Sequence, residues 1–389
     1  MAGTEATLRA EMLDAVATIA PTFEAEAEES ERLGRLSDVS MQAIRSAGLI
    51  GLRTPKVFGG YEADPITELE VLEAACRADG SAGWCLGILT GTSAMAGAYL
   101  PRETADMIFA NGPVPMAGAP TPHGKAQPKG HGYVLNGRWS FGSGIHHAEY
   151  VMAGARIEGI PPPAGLRIFV LLRSEVELVD NWQVAGLRGT GSCDYEIHDT
   201  FVPTSYSFSL LEMATGQAKS GGPSYRLGLP GIVSVFHIGI PLGIARHALD
   251  EVIRMATTKR RGILSRVPLA ERGVFQSKIG KAQLQLAAAR ALALDVTTRA
   301  WEAVQAGETL APAVQAELRG AGTYITELTQ DIATMAFHAG GGAALFDSSP
   351  LQRCFRDVHA AGQHFIASDS AYQGLGRFLL GRPDADAMM

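Results

Sequence analysis

His364 is one of ten histidines in this sequence and a candidate for acid–base chemistry. Histidine titrates close to neutral pH, so it can donate a proton or a hydrogen bond, or take a proton from a substrate. The alternative is a buried histidine tied to a backbone carbonyl. His359 lies on a different helix face, about one and a half turns away, and is a weaker candidate.

Two short segments combine glycine with hydroxyl side chains. Phe141-Gly142-Ser143-Gly144 follows a strand-like run, and the segment 187–192 carries Thr190 and Ser192. Glycine lets the backbone approach a ligand closely, and a hydroxyl both donates and accepts hydrogen bonds. The same residues also fit ordinary turns, in which the hydroxyls satisfy nearby backbone groups.

The sequence does not indicate metal or nicotinamide chemistry. His146 and His147 are adjacent, so on a strand they would face opposite directions and could not chelate one metal together. No G-x-G-x-x-G segment opens a helix after a strand, as a nicotinamide site requires. The cysteines lie far apart without a CxxC pair, which is typical of small buried residues in a reducing compartment: Cys76, Cys85, Cys193 and Cys354. We therefore expect no metal.

The charge balance argues against nucleic acid as a partner. The chain has 33 Lys and Arg against 40 Asp and Glu, for a formal net charge of -7. Phosphate binding needs concentrated positive charge. The start, Met1 to Glu5, lacks the basic and apolar regions of a signal peptide. The apolar run 231–245 is interrupted by His237 and Pro241 and is predicted to be too short to span a membrane. We expect a cytoplasmic protein without a membrane partner.

The residue pattern predicts a helical region up to about residue 110. Leu8, Met12, Ala15 and Ile19 mark one helix face before Pro21. Further helices are expected near residues 38–48, 65–78 and 82–99, the first of them capped by Ser37 or Asp38.

The residue pattern changes from helical to strand-like at about residue 111. The run Tyr133-Val134-Leu135, followed by Asn136-Gly137, predicts a hairpin, because Asn-Gly accepts the positive φ of a tight turn. More strand-like runs follow up to about residue 202.

The helical pattern returns from about residue 227. Two periodic runs, 279–300 and 318–335, predict long helices joined across Gly307 to Pro312. Such helices should pack antiparallel, with alanine allowing close approach, as in a four-helix bundle. With 46% hydrophobic and only 19% charged residues, we also expect an oligomer.

Several segments resemble the acyl-CoA dehydrogenase superfamily. Residues 49–60 (LIGLRTPKVFGG) and 73–88 (EAACRADGSAGWCLGI) resemble its N-terminal helical domain. Residues 137–155 and 180–203 resemble its middle β-domain, and residues 350–364 (PLQRCFRDVHAAGQH) resemble the end of its bundle.

The resemblance implies a mainly α fold with a central β-domain. The expected division is an N-terminal helical domain over residues 1–110, a middle β-barrel over 111–222 and a C-terminal four-helix bundle over 223–389.

The superfamily has two main chemistries. Its dehydrogenases use oxidised FAD and a glutamate that removes a proton from an acyl-CoA. In several branches this glutamate follows the Arg-Asp of the last bundle helix. Here Arg356-Asp357 is followed by no carboxylate until Asp369, and His364 stands in that region instead. Some dehydrogenases place the glutamate elsewhere, so an FAD-dependent acyl-CoA dehydrogenase stays an alternative, as does a non-catalytic flavin- or ligand-binding module.

Three segments are more similar to the flavin-dependent monooxygenases of this superfamily, the oxygenase components of two-component aromatic hydroxylases. The segments are WSFGSGIHHA, GLRGTGS and PLQRCFRDVHAAGQH. This resemblance implies reduced FMN or FAD delivered by a separate flavin reductase, and O2 as co-substrate. A C4a-hydroperoxyflavin would then hydroxylate a hydrophobic small molecule of aromatic or polyketide-like kind.

The resemblance also assigns roles to residues. Ser143 would lie against flavin N5 and, with His364, would be catalytic; a turn serine is its alternative. Trp84 and His123 would line the substrate pocket, although the sequence alone favours a structural role for both. Glycines of the 338–342 turn would approach a flavin from a neighbouring subunit of a homotetramer. The cofactor-binding residues are then Trp139, Phe141, Ser143, Arg188, Thr190, Ser192, Gly341 and Gly342, with Trp139 also interpretable as a core aromatic.

Overall fold

The structure is a computed structural model and describes residues 2–260 and 267–387. Its N-terminal part is helical, as predicted. The helices are α1 (Ala2–Leu33), α2 (Asp38–Ser46), α3 (Pro65–Ala78), α4 (Gly80–Tyr99) and α5 (Arg102–Ile108). Pro21 lies inside α1 rather than at its end. The buried face continues past it through Phe23, and this packing offsets the hydrogen bond that proline removes.

Polar caps fix where the next helices begin. The Ser37 hydroxyl accepts from the Ser40 N–H at 3.1 Å and caps α2, as predicted. Asp64 caps α3 in the same way. Asp79 caps α4 by accepting from the Ala82 N–H at 2.8 Å. These caps satisfy N–H groups that have no partner within the helix.

The middle of the chain forms one seven-stranded mixed sheet in the order β5-β6-β2-β1-β3-β4-β7. β1 and β3 are parallel, and the other neighbours are antiparallel. In the described residues β5 and β7 are end strands that do not pair with each other. The strands are β1 (Met116–Lys129), β2 (Gly132–Trp139), β3 (Tyr150–Ile157), β4 (Leu166–Leu172), β5 (Glu177–Val179), β6 (Asp194–Pro203) and β7 (Ser207–Ser209).

The predicted hairpin at Asn136-Gly137 is wrong. These residues lie inside β2, and the turn between β1 and β2 comes earlier, where Lys129 pairs with Gly132. The pairing of β2 with β6 shifts register after Leu135. There Asn136 exchanges two hydrogen bonds with Asp199, whose φ is 44°. The positive φ belongs to the opposite strand, so the Asn-Gly pair faces a bulge instead of forming a turn.

The C-terminal part is a helical bundle, as predicted. α8 and α9 are joined across residues 306–311, close to the predicted turn. After a short α6 (Leu210–Ala214), the helices are α7 (Gly228–Ala256), α8 (Gly273–Gln305), α9 (Pro312–Gly340), α10 (Pro350–Ala361) and α11 (Ser370–Leu379). The predicted domain boundaries at residues 110/111 and 222/223 both fall between elements, and the division into domains stays a prediction.

The apolar run around Gly231 belongs to a longer helix than predicted. α7 has 29 residues and is apolar enough by length and composition to cross a membrane, but 89% of its most apolar window is buried inside the protein. Because α7 packs against other helices along most of that window, we interpret it as the central core helix of the bundle.

Candidate active site

Ser143 stands at the end of a chain of hydroxyl groups between the sheet and the helices. Its oxygen lies 2.6 Å from the Ser192 hydroxyl, which lies 2.6 Å from the Thr190 hydroxyl. Thr190 donates to the carbonyl of Leu187 at 2.8 Å. At the other end, the indole N–H of Trp84 donates to the Ser143 oxygen at 3.0 Å. All three hydroxyl residues are buried.

The partners at the two ends fix the direction of the chain. A carbonyl only accepts, so the Thr190 proton points to Leu187. Ser192 must then donate to Thr190, and Ser143 must donate to Ser192, because each hydroxyl has a single proton. The Ser143 oxygen already accepts from Trp84 and keeps one further lone pair. It is therefore a hydrogen-bond acceptor toward any ligand.

The turn that carries Ser143 is held by backbone contacts from the 187–193 segment. The Gly142 N–H donates to the Cys193 carbonyl at 3.0 Å, and the Gly144 N–H donates to the Thr190 carbonyl at 2.9 Å. Phe141 has a φ of 67° and Gly144 a φ of 70°. This sharp reversal turns the Ser143 hydroxyl inward, toward α4.

Helix α10 holds the start of the same segment. The Asp357 carboxylate accepts from the Leu187 N–H at 2.6 Å, and Arg356 donates to the Ala185 carbonyl at 2.9 Å. A Cβ on Gly186 would lie 2.2 Å from the Arg356 carbonyl oxygen, so only glycine fits there. The hydroxyl chain is thus anchored to the bundle.

Burial, together with the nearby Asp79 carboxylate, raises the pKa of Asp357 to about 7. The hydrogen bond from Leu187 works in the opposite direction, since it favours the ionised form. Asp357 was not predicted as a site residue.

Aromatic rings form a cage on the bundle side of Trp84. Its ring makes edge contacts with Phe236 at 5.6 Å, with His364 at 5.7 Å and with His237 at 6.3 Å between centroids. His237 and His364 stack on each other at 5.4 Å. Through Trp84 the cage adjoins Ser143, so the structure brings the two predicted catalytic residues, Ser143 and His364, to one site.

Both cage histidines are neutral at physiological pH. Burial lowers the pKa of His364 to about 3, and the neighbouring His237 contributes to the shift. Burial lowers the pKa of His237 to about 4. Neutral imidazole has one donor and one acceptor nitrogen. His364 Nδ1 accepts from the Ile366 N–H at 3.4 Å, so its proton lies on Nε2.

Trp139 is not placed to bound a flavin, contrary to its prediction. Its ring is fully buried in the sheet core and stacks on Tyr195 at 5.5 Å. Its Nε1–H donates to the Gly154 carbonyl at 2.8 Å. A Cβ on Gly124 would lie 2.3 Å from the Trp139 ring, so glycine makes room for it. The core-aromatic interpretation therefore holds.

Other predicted cofactor residues lie on the surface near the Ser143 turn. The Phe141 side chain is 70% exposed and contacts Trp182 edge-on at 6.3 Å. Arg188 is exposed at the start of the turn that contains Thr190. An exposed pair of aromatic rings suits contact with a flavin ring, and the Arg188 cation suits the flavin phosphate. These surface residues therefore fit the cofactor, and the hydroxyl chain fits the polar edge of the flavin ring.

The remaining predicted residues lie outside the cage. His123 is exposed on β1, and no described hydrogen bond or ring contact joins it to Trp84. Gly342 is exposed, and a Cβ on it would meet nothing within 4 Å in the described chain. Gly341, with a φ of 54°, begins the same turn. Both glycines are accessible to a second subunit.

The predicted absence of a metal stays a prediction. His146 and His147 lie in a short 3-10 turn, not on a strand as assumed. Elsewhere, Glu177, Glu196 and His198 bring three possible ligand atoms within 4.8 Å of one another at the edge of the sheet. Arg138 already binds Glu196 at 3.1 Å.

Two sequence families match the chain at its ends. "Acyl-CoA dehydrogenase, N-terminal domain" matches residues 4–102, and "Acyl-CoA dehydrogenase, C-terminal domain" matches residues 236–369. These matches confirm the predicted scaffold.

Relatives that match nearly the whole chain show which branch of the superfamily it belongs to. An indole-3-acetate monooxygenase of Pseudomonas putida is 32% identical over 91% of this chain and 90% of its own length. The flavin-dependent monooxygenase, oxygenase subunit HsaA, of Rhodococcus jostii is 29% identical over 95% of this chain and 98% of its own.

Solved structures of other monooxygenases and hydroxylases have the same fold as this chain. A 3-HSA hydroxylase from Rhodococcus superposes with a TM-score of 0.90 at 26% identity, covering 97% of this chain and 99% of its own. XiaF from Streptomyces, solved with FADH2 and glycerol, also gives 0.90, at 27% identity, covering 97% of this chain and 96% of its own.

The chain therefore belongs to the flavin-dependent monooxygenases of the acyl-CoA dehydrogenase superfamily. It is an oxidoreductase that uses reduced flavin and O2, as predicted. Asp369, the first carboxylate after Asp357, is exposed. The acyl-CoA dehydrogenase and the binding module were the alternatives, and these relatives do not support them.

Proposed function

We propose that this chain hydroxylates a planar aromatic small molecule bound in the cage of Trp84, Phe236, His237 and His364. The observation that carries the proposal is the oriented hydroxyl chain, which ends in an acceptor oxygen on Ser143 beside that cage. The aromatic preference is supported by the ring walls and by relatives named for indole-3-acetate and p-hydroxyphenylacetate.

Reduced FMN or FAD supplies the electrons that activate O2 when it is bound. On our proposal Ser143 accepts a hydrogen bond from the flavin N5–H, and keeping that proton in place slows the loss of activated oxygen as hydrogen peroxide. Phe141 would border the ring, Arg188 would bind the phosphate, and Thr190 and Ser192 would hold Ser143 in position.

His364 acts as a neutral hydrogen-bond donor in this proposal. Its Nε2–H is directed by the contact that Nδ1 makes with Ile366. Because the pKa of His364 is lowered to about 3, an imidazolium is not available near neutral pH. The ring can steer oxygen or substrate by hydrogen bonding, without a net charge.

The partners follow from the same proposal. A separate flavin reductase would deliver the reduced cofactor, since a relative is named an oxygenase subunit. A homotetramer would bring Gly341 and Gly342 of one subunit to the flavin of another. We propose a cytoplasmic location, in keeping with the four free and buried cysteines.

The test is oxygen incorporation. Photoreduced FMN or FAD is mixed with the protein, isotopically labelled O2 and a panel of phenols and indoles, and the products are examined by mass spectrometry. One labelled oxygen atom in an aromatic product is expected. Tightly bound oxidised FAD that is bleached by an acyl-CoA, with no labelled product, would contradict the proposal.

A further inference from the structure

His237 was not singled out by its chemistry in the sequence, yet it carries a polar atom that is unsatisfied in the described protein. The side chain is fully buried on α7. Its Nε2 lies 3.0 Å from the Ala361 carbonyl oxygen. Its Nδ1 is buried and has no hydrogen-bond partner among residues 2–260 and 267–387.

The contact with Ala361 settles the tautomer. A carbonyl oxygen only accepts, so Nε2 must carry the proton. The ring is neutral near pH 7, because burial lowers its pKa to about 4. Nδ1 therefore has a bare lone pair and can only accept a hydrogen bond.

An unpaired buried acceptor is unfavourable. Leaving such a group without a partner costs the free energy of removing it from water, whereas an apolar side chain of similar shape would carry no such cost. Buried unsatisfied groups in folded proteins are few, and each requires a reason. A ligand that brings its own donor would supply the missing hydrogen bond.

The surroundings define the shape of that ligand. His237 stacks on His364 at an interplanar angle of 21° and meets the Trp84 ring edge-on at 88°. His364, which stacks on His237, is itself only partly buried and lies between two exposed residues, Gln363 and Phe365. Flat aromatic neighbours favour a flat aromatic ligand.

The two stacked histidines also have complementary polarity. His364 presents a donor at Nε2, while His237 presents an acceptor at Nδ1. A phenol O–H or an indole N–H would donate to His237, and a nearby oxygen would accept from His364. A phenolate would instead place negative charge beside the lone pair of Nδ1.

We propose that His237 Nδ1 accepts a hydrogen bond from the ring O–H or N–H of the substrate, so that the site selects neutral aromatic molecules with a donor on the ring. This inference rests on the proposed function, which places the substrate in the cage. It assigns a specificity-determining role to His237.

The test compares probes that differ only in the donor. Binding of indole and of benzofuran, and of phenol and of fluorobenzene, is measured by calorimetry on the protein without flavin or O2. The wild-type protein is expected to prefer the donor-bearing member of each pair by about five- to 150-fold, the equivalent of about 1–3 kcal/mol. In His237→Leu the ratio is expected to fall toward one.

His247→Leu is the matched control, because it makes the same change on the same helix away from the cage. It should keep the wild-type ratio. A thermal melt and circular dichroism establish that both variants fold, and His237→Phe gives a second apolar variant if the leucine variant does not.

The outcomes separate this inference from the proposed function. An unchanged ratio in folded His237→Leu, or no preference in the wild type, would overturn the role of His237. Loss of labelled product in the wild type, with the donor preference intact, would instead remove the proposed reaction and leave the binding site.

Discussion

The Trp84 indole N–H donates to the Ser143 hydroxyl at 3.0 Å, although the two residues are 59 positions apart. This contact joins a helix of the N-terminal region to the turn after β2. It also occupies one lone pair of the serine oxygen, and the direction of the hydroxyl chain leaves the other lone pair as an acceptor.

Thr190 sets the direction of the hydroxyl chain, because its proton is committed to the Leu187 carbonyl. Thr190→Val removes that hydroxyl, so Ser192 loses its acceptor and can donate back to Ser143. We expect hydrogen peroxide release from the reduced-flavin protein to rise about two- to fivefold in O2, the effect of roughly one weakened hydrogen bond. The rate is measured with a peroxidase-coupled assay.

Thr190→Ser is the control, since it keeps the hydroxyl and should release hydrogen peroxide at the wild-type rate. Equal rates in Thr190→Val and wild type would show that the direction of the chain does not matter.

Because the pKa of Asp357 is raised, we expect the free energy of unfolding to fall as the pH rises. Its pKa is raised from 3.8 to about 7, so the folded state holds a proton that the unfolded state releases above about pH 4. Its contribution to the free energy of unfolding is therefore present at low pH and lost as the pH rises toward 7, at up to about 1.4 kcal/mol per pH unit. Asp357→Asn should remove this slope.

The measurement is urea unfolding of wild type and Asp357→Asn between pH 4 and pH 8. Asp347→Asn, an exposed change near the start of the same helix, should follow the wild type. Parallel curves for wild type and Asp357→Asn would contradict the raised pKa. Neither variant changes the charged residues that act on Asp357, which are Asp79, Glu31 and Arg356.

We expect the product yield to show no change with pH that comes from titration of the His364 imidazole. Because its pKa is lowered to about 3, the ring stays neutral between pH 5 and pH 8. His364→Asn keeps a side-chain N–H donor and should retain more labelled product than His364→Leu, about tenfold more for one hydrogen bond to oxygen. Both variants and the wild type should show product yields with the same pH dependence.

The measurement is product yield against pH at saturating reduced flavin. A change in the product yield near pH 6.5 that occurs in the wild type and in neither variant would mean that His364 titrates in the site.

The sequence predicted the scaffold and part of the site. The periodic runs in α8 and α9 indicated two long helices, because helix packing follows a regular spacing. The hydroxyls of Thr190 and Ser192 were assigned to the same site as Ser143 through the family resemblance. The direction of their hydrogen bonds could not be predicted, because it depends on Leu187 and Trp84, which are distant in sequence from Ser143.

Other features needed the tertiary structure. His237 interrupts an apolar run and was noted only for that reason, since a helix pattern does not reveal an unpaired nitrogen. Asp357 was taken as part of the Arg-Asp motif, and its contact with Leu187 spans 170 positions. Asn136-Gly137 has the composition of a turn, but pairing with β6 keeps it within a strand.

The acceptor role of Ser143 is tested most directly by hydrogen peroxide release from Ser143→Ala. The variant and the wild type are loaded anaerobically with the same reduced flavin, mixed with O2, and followed by a peroxidase-coupled assay, with flavin binding measured separately. We predict release that is roughly five- to tenfold faster in Ser143→Ala at equal flavin occupancy. Equal rates in the two proteins would contradict the account.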